Sequence, residues 1–278
     1  MKSQLFRVFA NFTAWIWTIL AFIPFVFILL FGVKNTTDIM IKPLAIVFKP
    51  ALDNFSRAWS GGVGSGGFST WFANSIVLVI VALAVSICAA VPAAYFTIFL
   101  PKKINEIVRI IIITGTTVPS ILLVIPYFKT FNSIGLLNKP IATGIVYGVL
   151  AIPTTFLLMN RFFIDFPREV LEAGLVDGLS NVRIFSKLVL PLSVGQIVSV
   201  GFMTLIWAWG ETQIAIVLLN KASAQPIAVG VLSFVGDFSV DYGAIFAGLS
   251  LAAFPPLIAY IALSKYVTKG IALGGITK

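Results

Sequence analysis

The sequence predicts an all-α membrane protein with six transmembrane helices, and three observations carry that reading. Of 278 residues, 59% are hydrophobic and only 10% charged, against about 45–50% and about 25% in soluble domains. Lipid is therefore the principal solvent. Six stretches between the charges reach the roughly 20 apolar residues that a spanning helix needs. Each run is continuous, whereas strands of a membrane barrel alternate in polarity over about 10 residues. The same composition excludes several function classes. With no histidine and one cysteine, zinc sites, disulfide frameworks and histidine acid–base catalysis lack their residues, so neither a metal site nor a catalytic residue is expected. A net charge of +9 would suit nucleic acid only if it were massed on one face. Lys and Arg instead lie in small groups between apolar runs, where they act as topology signals and contacts to anionic membrane lipid, and no nucleic-acid partner is expected.

The spans are placed near 13–33, 74–100, 107–128, 141–160, 192–219 and 243–267 of a single domain covering residues 1–278. The first follows Lys2 and Arg7, lacks an A-x-A site and is long enough to stay in the bilayer, so it is not read as a cleaved signal. The second contains Pro92 and the lone Cys88, which is read as a packing residue. The third holds Pro119 and Pro126, the fourth Pro153, and the sixth Pro255 and Pro256; each removes a backbone hydrogen bond and bends its helix. In the fourth, Gly144 and Gly148 form a G-x-x-x-G pair that allows close helix contact. The fifth carries Glu211, the one carboxylate inside a hydrophobic run, in the string Trp207-Ala208-Trp209-Gly210-Glu211. A carboxylate at that depth faces a bundle interior, water or a partner. Trp207, Trp209 and Glu211 are thus candidates for a translocation pathway whose aromatic faces could stack on a sugar; the other reading is an interfacial tryptophan belt with a solvated Glu.

An even number of spans puts both ends on one side. With the termini inside, 12 of the 19 Lys and Arg fall on the inner side and 7 on the outer (Lys34, Lys42, Lys49, Arg57, Lys129, Lys139, Lys221). The positive-inside rule then predicts a multi-pass protein of the cell membrane with both termini cytoplasmic, although four of the outer seven crowd the first outer loop. That loop, 34–73, contains the run Gly61-Gly62-Val63-Gly64-Ser65-Gly66-Gly67, either a linker or a docking surface for an external partner.

The inner segment 161–190 is the most informative. Four of the ten carboxylates, Asp165, Glu169, Glu172 and Asp177, fall in it within 13 residues. Pro167 suits the start of a short helix, Glu169 and Glu172 its positive end, and Gly178 its stop. Ser180 can cap a second helix on which Ile184, Phe185 and Leu188 share an apolar stripe. Such a helical pair outside the bilayer either is covered by a protein partner or lies on lipid headgroups.

Glu172-Ala173-Gly174, Asp177-Gly178, Phe185 and Leu190-Pro191 resemble the E-A-A…D-G…F…L-P motif of permease subunits of ATP-binding-cassette importers, with Gly174 in place of the usual second alanine. The likeness extends over nearly the whole chain and points to the carbohydrate-uptake branch, in particular the shorter permease of maltose-type importers. Asn74-Ser75 and Ala94-Tyr95 match the ends of span two. Val118-Pro119, Ile125-Pro126-Tyr127 and Ile134-Gly135-Leu136 match span three and its loop, and Trp207-Ala208-Trp209 a W-A-W-N segment with Gly210 replacing the asparagine. Asp241-Tyr242-Gly243, Ala247-Gly248, Pro255, Lys269-Gly270-Ile271 and Gly274-Gly275 match the carboxy-terminal end.

This resemblance implies the type I importer permease (MetI-like) fold with cytoplasmic coupling helices. It implies that Glu169, Glu172, Ala173, Gly174, Asp177, Gly178, Phe185, Leu190 and Pro191 couple to a dimeric cytoplasmic ATPase, Glu172 pairing with a basic residue there. The carboxy-terminal tail would touch the same ATPase. No G-x-x-x-x-G-K-[ST] occurs, so the chain cannot cradle nucleotide phosphates by a P-loop. Hence it is no enzyme and binds no cofactor itself, ATP and magnesium residing on the partner ATPase. A second, homologous permease and an extracytoplasmic sugar-binding protein resting on outer loops 34–73 and 220–241 complete the expected importer. The competing readings are an ion- or proton-coupled carrier and a non-transporting membrane scaffold.

Overall fold

The computed structural model describes residues 2–45, 49–61, 66–235 and 240–275, with side chains described for all of these except 2–5, 8 and 267–275. Gly62 to Ser65 of the glycine-rich run therefore lie outside the described residues, as do the side chains of the carboxy-terminal motif. The first span is α1 (Lys2–Gly32), followed by short helices α2 (Thr36–Ile41) and α3 (Asp53–Ser60), and the second is α4 (Gly67–Thr97). Then come α5 (Lys102–Thr117), a 3₁₀ turn Ser120–Leu123, α6 (Val124–Ser133) and α7 (Pro140–Ile164). The inner connection comprises α8 (Arg168–Val176), α9 (Asn181–Ile184), a π-helical turn Phe185–Val189 and α10 (Leu190–Leu192). After α11 (Val194–Gly210), α12 (Ala215–Leu218) and α13 (Ile227–Gly230), the chain ends in α14 (Tyr242–Gly275).

Four described helical stretches, 9–32, 67–97, 140–164 and 242–266, are each long and apolar enough to cross a bilayer, and two bent pairs bring the number to six if each pair is one span. The bends correct two of the predicted spans. The stretch 107–128 is not one helix: Lys102–Thr117 and Ser120–Ser133 diverge by 80°. Pro119 supplies no N–H and pushes Val118 to extended backbone, φ −78° and ψ 115°, which ends α5. Pro126 bends nothing, since it sits in the first turn of α6, where its missing donor has no intrahelical partner to lose. The stretch 192–219 likewise stops being helical at Gly210, and its start turns by 74° from Asn181–Leu192. Cys88 is also corrected, since it is exposed on α4 rather than packed.

The described chain divides into two compact units. One comprises Met1–Ser69 and Gly230–Phe254. Within it the end of α1 meets the start of α14, with the Phe31 and Phe246 rings edge to face at 5.0 Å and Gly32 so close that a Cβ there would lie 3.3 Å from the Ala247 backbone. Carbonyls at a helix C-terminus have no partner in their own helix. Buried Asn54 on α3 donates to two of them, Gly32 O at 2.9 Å and Lys34 O at 2.8 Å. Arg57, one turn on, pairs with Asp241 at 2.9 Å and with Asp53, and Thr36 donates to Asp241 at 3.2 Å. The Lys34 ammonium donates to the Lys42 and Pro43 carbonyls. Two of the four cations that crowded the first outer loop are thus held by protein groups, which weakens them as topology signals.

The other unit, Thr70–Val229 with Pro255–Lys278, is built around α7. Pro140 opens that helix at its first turn, where no N–H is needed. Gly144 and Gly148 lie against α4: a Cβ at Gly148 would stand 2.5 Å from Val85 Cβ, and one at Gly144 2.8 Å from the Leu78 carbonyl. The G-x-x-x-G spacing is therefore a helix contact. Lower on the same pair, buried Asn160 donates to Ala94 O at 3.1 Å. Ala94, Tyr95, Phe156, Met159, Phe163, Phe185 and Val200 then form one apolar core from α4, α7, the π turn and α11.

Candidate functional site

The inner connection begins where α7 ends. Asp165 follows its last turn and pairs with Arg161 at 3.1 Å. Pro167 precedes α8, and Glu169 lies in its first turn, where negative charge is favoured by the helix dipole. Asp177 and Gly178 close α8; Gly178 has φ +73°, a backbone conformation that glycine adopts without a Cβ penalty. The chain reverses there and α9 runs back along α8. Gly174 is buried at their contact, and a Cβ on it would lie 2.9 Å from Ile184 Cγ1 and 3.0 Å from Leu188 Cδ1.

The apolar stripe of the second helix is not exposed as the sequence suggests. Ile184 and Phe185 are 1% and 9% exposed, and the Phe185 ring lies 4.9 Å from Tyr95 and 5.7 Å from Phe96 on α4. These residues anchor the connection to its own chain, so Phe185 lies beneath its exposed surface rather than on it. Spacing could not separate the two roles, because a stripe facing a partner and a stripe facing the chain's own core have the same period. What the connection presents outward is Leu175, Val176 (87% exposed) and Val182, three residues that the sequence reading passed over. Beside them Glu169, Glu172, Ala173 and Asp177 are exposed, and none of the three acids forms an ion pair among the described residues. Leu190 is half-buried and Pro191 exposed at the entry to α11. Arg168 and Glu172 stand at the rim of a pocket of about 330 Å³ whose walls are Ile98, Phe99, Phe163 and Leu171.

A larger cavity of about 650 Å³ opens between the α5–α6 bend, α7 and α11, a size within the usual range for small-molecule sites of about 300–1,000 Å³. Its walls include Thr116, Ser120, Tyr127, Thr154, Thr155 and Thr204, together with Pro119, Pro153 and Trp207. The hydroxyls come from five separate segments, so no local motif announces them. The break at Pro119 creates the space by turning α6 away from the line of α5.

Of the three residues singled out for a pathway, the structure brings Trp207 alone to this cavity. Trp209 is 9% exposed and packs edge to face on Phe72 at 6.1 Å. Glu211 lies just beyond α11, where its carboxylate accepts hydrogen bonds from the Tyr147 hydroxyl, from Ile214 N at 2.9 Å and from Ala215 N at 3.3 Å. Its acceptor oxygens tie α12 to α7. A phenol and two backbone amides are the groups bonded to that carboxylate among the described residues. The Asn74-Ser75 pair is also structural. Asn74 donates to Ser223 O and Gln225 O at 3.0 and 3.1 Å, and Ser75 Oγ accepts from Ile227 N at 2.9 Å.

Residues 86–272 match the family described as binding-protein-dependent transport system inner membrane component. The chain belongs to that family. The permease is 31% identical over 212 residues to the glucose import system permease protein of Saccharolobus solfataricus, with 73% of each chain covered. It is 23% identical over 261 residues to the diacetylchitobiose uptake system permease protein of Streptomyces coelicolor, covering 93% of this chain and 85% of that one. Its fold matches a chain from a bacterial ABC transporter that imports the acidic polysaccharide alginate, with TM-score 0.73, 20% identity and coverage of 96% and 98%. The type I importer permease architecture, with several apolar helices in a multi-pass membrane protein, follows from the family and this likeness together.

Proposed function

We propose that the permease is one of two membrane subunits of an ATP-driven importer of a sugar, a mono- or oligosaccharide, and that the cavity around Trp207 is its share of the translocation path. The observation that carries this reading is the cavity's chemistry. An indole and a phenol offer faces for a sugar ring, and five Ser or Thr hydroxyls offer hydrogen bonds without a charge. The named substrates of the relatives, glucose and diacetylchitobiose, are of that kind.

The inner connection is the coupling element in this reading. A dimeric cytoplasmic ATPase, which would hold ATP and magnesium, takes the exposed tip Leu175, Val176 and Val182 into an apolar cleft and pairs a basic residue with Glu172 or Glu169. Gly174, Gly178 and Phe185 act from within, keeping the tip rigid on α4 and α7. Both termini are then cytoplasmic, and a sugar-binding protein rests on the opposite face, against segments 34–73 and 220–241.

Two measurements test it. With the importer assembled from its own partners in proteoliposomes, uptake of labelled glucose, maltose and N,N′-diacetylchitobiose is compared for the parent and Trp207→Ala. Loss of one stacked aromatic should weaken uptake at limiting sugar by about 5- to 10-fold; parental uptake of all three by an assembled variant, or uptake of none by the parent, overturns the sugar reading. Separately, Val176→Asp should leave the permease folded and lower recovery of the ATPase with it. Unchanged recovery and unchanged ATP-dependent uptake would remove the docking role.

A further inference from the structure

We propose that Tyr147 and Glu211 are positioning residues that fix the face Trp207 presents to the cavity, an inference that rests on the reading of that cavity as the sugar path. Trp207 and Glu211 are four residues apart, one before and one just after the end of α11. A helix end of this kind frays, because its last carbonyls and the side chains of its last turn lose half their neighbours. Gly210, between them, adds backbone freedom. Trp207 is nonetheless confined. The ring of Tyr147, fully buried on α7, lies 5.3 Å from the indole at a 59° angle. Its hydroxyl donates to the carboxylate of Glu211. One side chain of α7 thus holds both sides of the α11 terminus.

Glu211 fixes the other end of the arrangement. The same carboxylate that receives the phenol accepts the backbone N–H groups of Ile214 and Ala215, so it is itself immobilised by α12. Ile214, Ala215, Leu218 and Leu219 are fully buried, and Leu218 O receives the Asn138 N–H at 2.8 Å. The chain of contacts runs from a buried short helix through a carboxylate and a phenol to an indole that is 39% exposed and lines the cavity. Neither Tyr147 nor Glu211 lines that cavity. Their effect on a solute is exerted through Trp207, and an indole free to rotate would lose stacking geometry before it lost area.

The test separates this positioning from the sugar reading by using one readout that needs no solute. The assembled importer is labelled with 5-fluorotryptophan, the Trp207 resonance is assigned by its loss in Trp207→Phe, and Tyr147→Phe and Glu211→Gln are compared with the parent. Tyr147→Phe keeps the ring contact and removes the bond to Glu211. The resonance should shift or broaden in both variants while the resonances of distant tryptophans stay in place, which a general loosening of the fold would not produce. In the same preparations, KM for whichever of glucose, maltose and N,N′-diacetylchitobiose the parent imports should rise about fivefold, the scale of one hydrogen bond, with the maximal rate nearly unchanged. An unmoved Trp207 resonance in both variants overturns the proposal whatever the uptake. A moved resonance with KM unchanged overturns the positioning role while leaving the contact. If the parent imports none of the three sugars, the sugar reading fails and the fluorine spectrum still decides whether the clasp holds the indole.

Discussion

Helices α1 and α7 have similar claims to cross a bilayer and opposite surroundings. Their spans have mean hydropathies of 2.5 and 1.9, yet none of the most apolar part of α1 is buried within the described protein, against half of that of α7. The difference lies in small residues and single polar groups. On α7, Gly144 and Gly148 let α4 approach, and Asn160 and Tyr147 each reach a partner on another element. Along α1, large side chains such as Phe22, Phe25 and Leu29 project outward, 62%, 56% and 49% exposed, and the side-chain hydrogen bonds of its span, those of Thr13 and Thr18, return to α1 itself. Hydropathy reports the solvent a helix tolerates, whereas glycine and asparagine placement reports the neighbour it needs.

The comparison breaks first at Gly148. With Val85 Cβ only 2.5 Å from a Cβ placed there, neither backbone can yield cheaply. Gly148→Leu should prevent folding to the parental state, and Gly148→Ala should cost about 1–3 kcal/mol, read as a lower thermal midpoint of the purified chain in detergent. A parental midpoint for the alanine variant would mean that α4 and α7 do not pack through these glycines. Next in size, Asn160→Ala leaves a buried carbonyl contact unmade and should cost about 1–3 kcal/mol, with Asn160→Asp worse than Asn160→Ala because it buries an acceptor against the Ala94 carbonyl.

Acidification gives a smaller effect, confined to the unit that contains α3 and the start of α14. Burial pushes the Asp241 carboxyl up, but hydrogen bonds from Arg57, the Ala244 N–H and Thr36, together with the Arg57 charge, outweigh it and hold the group below the ordinary carboxylate value. A group held low in the folded state contributes stability above its unfolded value and loses that contribution as pH falls through the folded one. The contribution should therefore be complete at neutral pH and fade below about pH 4. Because the pair is partly exposed, its worth is about 1 kcal/mol or less. The thermal midpoint of the parent should fall more steeply on acidification than that of Asp241→Asn, and parallel slopes would remove the role. Smallest of all, Phe22→Ala on α1 should shift the midpoint of the isolated chain by less than about 0.5 kcal/mol. A large loss there would mean that α1 is packed in the purified chain at Phe22 as well as at its end against α14.

The contrast between α1 and α7 also marks where the sequence could be read and where it could not. Six apolar stretches were legible, and Pro119 was legible as a breaker, because both depend on residues close in the chain. The 80° turn at Pro119 was not, since its angle is set by what α6 packs on afterwards. The fifth apolar stretch runs on past the end of its helix for a related reason. Residues 214–219 are as apolar as the helix before them, and only the capture of three donors by the Glu211 carboxylate explains why the backbone leaves the helix at that point. At the site, Trp207 was legible from its local string. The hydroxyls of Thr116, Ser120, Thr154, Thr155 and Thr204 were not, because they converge from separate helices. In the inner connection the acids and the Asp177-Gly178 turn were legible, while the exchange of roles between buried Phe185 and exposed Val176 depended on which side α4 occupies.

Helix α14 is a ruler as well as a span. Its 34 residues at about 1.5 Å each measure about 51 Å, against a hydrocarbon core of about 30 Å. Even tilted by about 40°, the core accommodates about 26 residues. At least two turns of this helix therefore stand clear of the hydrocarbon, so that a tilt of the span within the bilayer is delivered to water as a displacement of those turns.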